Sequence, residues 1–401
     1  MSLRAAAAWA CATPLQIVAG YAASGLLFRL RTEELATAAE RLRWLRWTAA
    51  RLACCGAALA LRDTPAARAV VLVVGVLATY SHNARGRSPT ARRAAPGTVA
   101  LVTGATAGIG LATAVALCRR GVDVVVPGRS PERAAAAAAR INAAARGPGR
   151  ARALPRVGLE LDDRASVRGY AAAAAAAAPD LALLVLNAGV MRPAYGVVVG
   201  GAEATVASNH LGHFLLAELL GPTLAANAAR GRDCRVVVVS SSLHRVAARA
   251  LDALPDAAAR RAAVTDLRGD ARAYGLFPRY ALSKLMNVLH ARALARRRPA
   301  VAAIAVHPGC VYTDVTRSLP WPVRAAHALA VPCWLLFQKL PPHGAHATVH
   351  AALAPELAAA ENTGRSPYVA DCRAEAPGLP RDADALADAL WGASAAYAGA
   401  G

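Results

Sequence analysis

Lysine is almost absent from this 401-residue chain. Lys284 and Lys339 are the only two, although Lys and Arg together number 46 and the formal net charge is +21. A strongly basic chain usually suggests nucleic acid or an anionic surface as a partner. Here the excess is nearly all arginine in an alanine-rich sequence, which biased codon usage explains, and no motif that interleaves aromatic and basic residues accompanies the charge. We therefore predict no nucleic-acid partner.

Cysteine is present but unpatterned. The eight cysteines form no C-x-x-C pair and no spacing typical of metal ligands. Small, reduced and buried thiols are the expected state of such residues. The sequence therefore predicts neither a disulfide framework nor a metal site.

Charged residues are missing from Ala5 to Phe28, which is long enough to cross a bilayer, since about 20 apolar residues suffice. Arg29 and Arg31 follow this stretch, whereas only Arg4 precedes it. The positive-inside rule then predicts a signal anchor whose downstream portion faces the cytosol. A cleaved signal peptide is the alternative.

Further apolar segments follow before residue 97. The uncharged stretch Ala69–Ala84 is compatible with a second span, a re-entrant hairpin or a helix lying on the membrane, whereas Leu52–Leu61 is too short to span. Arg41–Trp47 mixes Arg, Leu and Trp as an interfacial helix does. Ser88–Gly97, rich in Arg, Ala and Pro, is predicted to be a linker. We expect residues 1–96 to form a membrane-anchoring helical extension.

Residues 97–401 are predicted to form a single catalytic domain, because short apolar segments there alternate with alanine-rich helical stretches. Strands that are apolar on both faces and alternate with helices indicate an α/β fold, a doubly wound parallel sheet of Rossmann type. The first unit is a strand, a helix and a strand at Thr98–Val102, Ile109–Arg120 and Val122–Pro127. The other predicted strands are Val157–Leu161, Leu181–Leu186, Arg235–Ser240 and Val301–Val306.

A glycine-rich turn joins the first predicted strand to the first helix, with the spacing G-x-x-x-G-x-G. Glycines at this point allow a tight turn and let the backbone approach a pyrophosphate, whose charge the helix N-terminus stabilises. The turn therefore predicts a dinucleotide site at Thr103, Gly104, Gly108, Ile109 and Gly110.

The second strand ends at Pro127-Gly128-Arg129-Ser130, without a carboxylate. In NAD binders an Asp or Glu near this point bonds the ribose 2′-hydroxyl, whereas an arginine can pair with a 2′-phosphate. Arg129 therefore favours NADP(H) over NAD(H). A solvated surface arginine is the alternative.

Two further motifs place reactive groups near the same edge of the sheet. Tyr280 and Lys284 stand four residues apart and so share one face of a helix, where the cation can lower the pKa of the phenol. Ser240–Ser242 end a predicted strand, and a hydroxyl there can hold a substrate oxygen. A strand-end turn or helix cap is the alternative for the serines.

With these motifs in order, the chain from about Gly97 to Tyr397 resembles the short-chain dehydrogenase/reductase family, in its retinol-dehydrogenase-like branch, with some similarity to polyprenol dehydrogenases. Leu186–Gly189 resembles the N-N-A-G segment, Asn209–Phe214 the N-H-L-G-H-F segment and His307–Thr313 the H-P-G-x-V-x-T segment. One departure is Leu186, which replaces the first Asn of N-N-A-G.

The resemblance implies roles for individual residues. Tyr280 would be the general acid/base, Lys284 would lower its pKa and hold the nicotinamide ribose, Ser241 would orient the carbonyl, and Asn209 would support a water in the proton relay. The cofactor would also contact Asn187, Ala188, Gly189, Pro308, Gly309 and Thr313.

The acidic residue expected near the adenine is either Glu160 or Asp162. The resemblance further implies hydride transfer between a nicotinamide and an alcohol or carbonyl carbon, without a metal. We expect reduction of a lipophilic substrate such as a retinoid, steroid, fatty aldehyde or polyprenoid, covered by Trp321–Leu340. The setting would be the endoplasmic reticulum or another endomembrane, and a homodimer is compatible with it. A catalytically idle NADP(H)-binding membrane scaffold and a protochlorophyllide-type reductase are the alternatives.

Overall fold

An eight-stranded sheet lies at the centre of the described part of the chain, which in this computed structural model is residues 86–311, 339–362 and 364–399. The strands are β1 (Val99–Val102), β2 (Asp123–Val125), β3 (Ala151–Arg152), β4 (Leu181–Leu186), β5 (Arg235–Val239), β6 (Ala302–His307), β7 (Tyr368–Ala370) and β8 (Arg373–Glu375).

Helices of the described residues flank this sheet. They are α1 (Gly108–Cys118), α2 (Pro131–Ala145), α3 (Arg164–Ala177), α4 (Gly212–Ala229), α5 (His244–Asp252), α6 (Ala257–Thr265), α7 (Leu276–Arg297), α8 (Pro341–Leu353) and α9 (Ala383–Ala398). A short helical turn, Ala204–Val206, and a π-helical turn, Ala207–Leu211, lead directly into α4.

The strand order is β3-β2-β1-β4-β5-β6-β7-β8, and every neighbouring pair is parallel except β7 with β8. The order reverses between β1 and β4, where the chain first runs outward to β3 and then returns to the other side. In doubly wound sheets this reversal opens a crevice at the carboxyl ends of the strands, and ligands bind there. The predicted Rossmann-type parallel sheet is confirmed.

Both faces of the central strands are buried, which explains their unbroken apolar sequences. Leu101 and Val238 pack into the core on one face, whereas Ala100 and Val237 pack into the core on the other. Successive strand side chains point to opposite faces, so a strand covered by helices on both sides needs apolar residues at every position.

The predicted strand Val157–Leu161 is wrong. Residues 157–160 are irregular, and the third strand of the sheet is instead Ala151–Arg152. The backbone N–H of Leu159 donates to Gly128 O at 2.8 Å, but no ladder forms. β3 is an edge strand, which has a neighbouring strand on one side only. It has two residues, one of them an arginine, so no apolar run in the sequence marks it.

Residues 86–97, which include the predicted linker, lie against the sheet domain. The backbone N–H of Arg87 donates to Asp371 Oδ1 at 3.0 Å, and that of Ala94 donates to Arg120 O at 2.9 Å. This segment is therefore held near both of its ends by hydrogen bonds that its backbone N–H groups donate.

The predicted membrane segments before residue 86, Thr313 and most of Trp321–Leu340 lie outside the described residues. Among the helices that the structure describes, none combines the length and the apolar character needed to cross a bilayer.

Candidate active site

The glycine turn between β1 and α1 has a shape that only glycine allows. Gly104 and Gly108 have φ angles of +69° and +55°, in the left-handed region. A Cβ placed on Gly110 would lie 2.3 Å from Gly104 O and 2.5 Å from Asn187 Nδ2. No side chain caps the start of α1, so its first N–H groups are available to a pyrophosphate. The turn therefore fits the phosphates of a dinucleotide.

Asn187 fixes the distance between β1 and β4 at the floor of the crevice. Its Nδ2 donates to Thr103 O at 2.8 Å, and its backbone N–H donates to Thr103 Oγ1, also at 2.8 Å. The nearby Gly189 lies beside Lys284, since a Cβ there would be 3.2 Å from Lys284 Nζ. The predicted cofactor residues of β1 and β4 are thus brought together with Lys284.

Tyr280 and Lys284 stand one turn apart on α7, as predicted, with Lys284 Nζ 5.6 Å from the centre of the Tyr280 ring. Lys284 is only 3% exposed, and its Nζ donates to Val239 O at 3.1 Å at the end of β5. Burial raises the pKa of Tyr280 to about 12 and lowers the pKa of Lys284 to about 8. Burial thus opposes the lowered phenol pKa that was expected from Lys284.

The three serines after β5 have different roles. Ser240 is buried and its hydroxyl donates to Lys284 O at 2.7 Å, which ties β5 to α7. Ser241 is half-buried, and its Oγ accepts a long hydrogen bond of 3.3 Å from the backbone N–H of Leu243. Ser242 is exposed. Ser241 therefore keeps a hydroxyl proton that it can donate to a substrate oxygen.

Asn209 lies in the π-helical turn before α4, and its side chain is fully engaged. Its Oδ1 accepts from the backbone N–H of Val190 at 2.8 Å, and its Nδ2 donates to Val190 O and to Ser283 Oγ, both at 3.0 Å. The Ser283 hydroxyl in turn donates to Tyr280 O at 2.7 Å. Both amide protons are thus committed, so a water in the relay could bind this residue only as a donor, to the main-chain carbonyl or to the second lone pair of Oδ1. Sequence reasoning missed Ser283.

The loop after β6 lies beside the serines. His307 Nδ1 accepts from the backbone N–H groups of Ser242 and Gly309, at 3.2 and 3.4 Å, and burial lowers the pKa of His307 to about 4. Gly309 has a φ of +94°, and Pro308 before it is buried. The His-Pro-Gly turn is therefore fixed against the end of β5, as a wall of the same crevice.

The predicted adenosine end of the site lies at the carboxyl end of β2. Arg129 is exposed there, and its carbonyl lies close to Gly158, where a Cβ would be 2.4 Å from Arg129 O. Asp162 forms an ion pair with Arg192 at 2.6 Å. Glu160 is exposed and has no ion pair within the described residues, which favours Glu160 over Asp162 for an adenine contact.

Comparison with known proteins identifies this arrangement. A family model described as short chain dehydrogenase matches residues 98–253. Mouse polyprenol dehydrogenase is 40% identical over 310 residues, which cover 76% of this chain and 85% of that protein. The chain belongs to the short-chain dehydrogenase/reductase family.

Other relatives place the chain in the retinol-dehydrogenase-like branch. Mouse retinol dehydrogenase 12 is 35% identical over 283 residues, which cover 69% of this chain and 79% of that protein. A crystal structure of a protein from Mycobacterium paratuberculosis, 28% identical, covers 78% of this chain and 96% of its own, with a TM-score of 0.53. The predicted family and enzyme class are confirmed: this short-chain dehydrogenase/reductase is an oxidoreductase of the kind that acts on alcohols and uses NAD(P).

Proposed function

We propose that this oxidoreductase uses NADPH to reduce a carbonyl group on a lipophilic substrate, with a polyprenoid chain as the leading candidate. The observation that carries the chemistry is the position of Lys284, whose Nζ lies 5.6 Å from the Tyr280 ring and bonds Val239 O, two residues before Ser241. The substrate class is supported by the 40% identity to a protein named polyprenol dehydrogenase, against 35% for one named retinol dehydrogenase 12.

The protonated state of Tyr280 is compatible with the proposed reduction. Reduction needs a protonated phenol that gives its proton to the substrate oxygen, while bound NADPH supplies a hydride to the carbonyl carbon. Burial raises the pKa of Tyr280 to about 12, which keeps the phenol protonated at neutral pH. Ser241 would donate a hydrogen bond to the same oxygen, and Lys284 would stay mostly charged because its pKa is about 8.

The cofactor proposal rests on Arg129. Its side chain is exposed at the end of β2, the place where doubly wound folds bind the ribose of the adenosine. A guanidinium can form charge-assisted hydrogen bonds with a 2′-phosphate. No carboxylate follows β2 directly to favour a free 2′-hydroxyl instead.

The proposal includes a membrane setting. Residues 1–96 would anchor the protein to the endoplasmic reticulum or another endomembrane, and residues 97–401 would be the catalytic domain on the cytosolic side. The uncharged stretch Ala5–Phe28 followed by arginines supports this. Homodimer formation is a further prediction of the family resemblance.

A substrate screen with the membrane-bound protein tests the function. Long-chain polyprenals, retinal, a steroid ketone and decanal are offered with NADPH and with NADH, and the corresponding alcohols with the oxidised cofactors. The Tyr280→Phe variant in the same membranes measures the background rate. We expect the highest kcat/KM with a polyprenal and NADPH.

The alternatives have distinct outcomes. NADPH binding without turnover of any carbonyl would identify an idle NADP(H)-binding scaffold. Light-dependent turnover of protochlorophyllide would identify a pigment reductase. Highest kcat/KM for retinal or a steroid would keep the enzyme class and replace the polyprenoid assignment.

A further inference from the structure

His213 lies in the first turn of α4, is fully buried and connects two parts of the active site. Its Nε2 is 2.9 Å from Thr103 Oγ1, at the start of the glycine turn. Its Nδ1 is 3.0 Å from the main-chain oxygen of Asn209. One imidazole thus bridges the cofactor turn and the carbonyl to which a relay water would bind.

The hydrogen bonds of Thr103 fix the direction of this bridge. Its Oγ1 accepts from the backbone N–H groups of Asn187 and Ala188, at 2.8 and 3.0 Å, which occupies both lone pairs. The hydroxyl proton is then left to donate, either to His213 Nε2 at 2.9 Å or to Val185 O at 3.4 Å. The shorter contact is the better hydrogen bond, so the Thr103 hydroxyl donates to His213.

The tautomer of His213 follows from this arrangement. Because Nε2 accepts, it carries no proton, and the single proton of the neutral ring is on Nδ1. Nδ1–H then donates to the Asn209 carbonyl, which can only accept. A doubly protonated ring would direct an N–H at a Thr103 hydroxyl whose lone pairs are already used. In agreement, burial lowers the pKa of His213 to about 3.

The Asn209 carbonyl depends on this donor. Both protons of the Asn209 side chain are held by Val190 and Ser283, so a relay water would donate to an oxygen of this residue, and the main-chain carbonyl is the oxygen that His213 contacts. One lone pair of that carbonyl oxygen accepts from His213. This hydrogen bond fixes the direction of the second lone pair, which would face the water. We propose that His213 is a positioning residue that holds the Thr103 hydroxyl and the Asn209 carbonyl in one arrangement, and so couples the cofactor turn to the proton relay.

Two substitutions separate the two halves of the bridge in the full-length, membrane-bound protein. In His213→Gln the amide oxygen can still accept from Thr103 near the position of Nε2, but the donor to Asn209 is lost. In His213→Asn the amide nitrogen can still donate to Asn209 near the position of Nδ1, but the acceptor for Thr103 is lost. Loss of one partner of a buried hydrogen bond should change the constant that depends on it, either kcat or the Kd for NADPH, by about tenfold or more.

We therefore expect opposite patterns in two measurements. NADPH affinity is measured by the fluorescence of the bound cofactor, and kcat by reduction of decanal at saturating NADPH. His213→Gln should lower kcat about tenfold and leave the Kd for NADPH within about threefold. His213→Asn should weaken NADPH binding about tenfold and leave kcat within about threefold.

His290→Gln is the matched control. His290 is 2% exposed in the same domain, and neither of its ring nitrogens has a hydrogen-bond partner within the described residues. We expect this variant to keep both constants. Three outcomes would overturn the proposal and show that His213 only fills space. The two His213 variants could lose kcat and NADPH affinity equally, neither could lose anything, or His290→Gln could show the same losses.

A second measurement keeps the proposal testable if the His213 variants do not fold. Two-bond ¹H–¹⁵N correlation spectra of the wild-type protein, labelled with ¹⁵N-histidine and assigned from the backbone outward, report the tautomer of each ring. We expect an Nδ1–H tautomer for His213 that persists to pH 5. An Nε2–H tautomer or a doubly protonated ring at pH 7 would overturn the inference. Neither the spectra nor NADPH binding depends on the substrate, so a failure here is distinct from failure of the proposed substrate class.

Discussion

Glu203 and Arg279 form a buried ion pair, with 3.2 Å between Glu203 Oε2 and Arg279 Nε, and Arg279 directly precedes Tyr280. Glu203 also caps the helical turn that leads to Asn209, because its carboxylate accepts from the N–H groups of Thr205 and Val206 at 2.7 and 3.1 Å. The pair therefore joins the start of α7, which carries Tyr280, to the start of the segment that carries Asn209.

Glu203→Gln should destabilise the domain strongly. Glu203 is 0% exposed, and its removal leaves the largely buried guanidinium of Arg279 without a countercharge. Breaking one partner of a buried ion pair costs about 3 to 5 kcal/mol, whereas an exposed pair contributes about 1 kcal/mol or less. The free energy of unfolding, measured with urea, tests this.

The matched control is Arg292→Gln, which breaks an exposed pair with Asp384 of 2.7 Å. It should change the free energy of unfolding by about 1 kcal/mol or less. Equal effects of the two substitutions would contradict a special role for the Glu203–Arg279 pair.

Tyr280→Phe should abolish turnover and leave the Kd for NADPH within a few-fold, since the phenol transfers a proton and is not the main cofactor ligand. Lys284→Ala should lower turnover and also weaken NADPH binding, because the ammonium makes the predicted ribose contact and the hydrogen bond to Val239 O. Steady-state kinetics and NADPH fluorescence measure the two effects.

Tyr170→Phe is the control for loss of a buried phenol. The hydroxyl of Tyr170 is buried on α3 and has no hydrogen-bond partner within the described residues. This variant should keep wild-type kcat and stability. Near-wild-type turnover of Tyr280→Phe would remove Tyr280 from the role of general acid.

Much of the fold could be predicted from sequence because the central strands are covered on both faces. β4 reads Leu-Ala-Leu-Leu-Val-Leu and β5 ends in four valines, and such runs leave little alternative to a buried parallel strand. β3, β7 and β8 are not predicted, since each has only two or three residues and they lie among the outer strands of the sheet. Their position depends on the neighbouring strands rather than on their own residues.

In the candidate site, too, some features could be predicted from the sequence and others could not. Tyr280, Lys284 and the glycine turn could be recognised because their partners lie within a few positions along the chain. The role of His213 could not be recognised in the same way, because its partner Thr103 is 110 residues away. The buried Glu203–Arg279 pair, 76 residues apart, is hidden in the same way. Contacts of this kind are set by tertiary packing, and neither charge pattern nor periodicity marks them.

Stability should fall as the pH is lowered from about 6.5 to about 4. Burial lowers the pKa of His290 to about 4, whereas an unfolded histidine titrates near 6.5. Between these values the unfolded chain binds more protons, so the folded state loses roughly 1.4 kcal/mol per pH unit for each such histidine. His213 and His307, with pKa values of about 3 and about 4, add to the slope.

Urea unfolding of wild type and His290→Leu at several pH values isolates one contribution. The substitution removes one titrating group and two unpartnered ring nitrogens, so the slope between pH 6.5 and 4.5 should decrease by roughly 1.4 kcal/mol per pH unit. An unchanged slope would mean that His290 titrates normally in the folded protein.

Cofactor choice should depend on Arg129, the exposed arginine at the end of β2. A charge-assisted hydrogen bond to a 2′-phosphate contributes roughly 1.5 to 3 kcal/mol, so Arg129→Asp should lower the preference for NADPH over NADH at least about tenfold. The aspartate would repel the phosphate and accept a hydrogen bond from a free 2′-hydroxyl, so activity with NADH should improve relative to NADPH rather than fall equally.

Arg249→Asp makes the same charge change at an exposed position on α5 and controls for the altered net charge. It should leave the ratio of kcat/KM with NADPH to kcat/KM with NADH unchanged. If Arg129→Asp also leaves that ratio unchanged, Arg129 is a solvated surface charge and the preference for NADPH loses its basis.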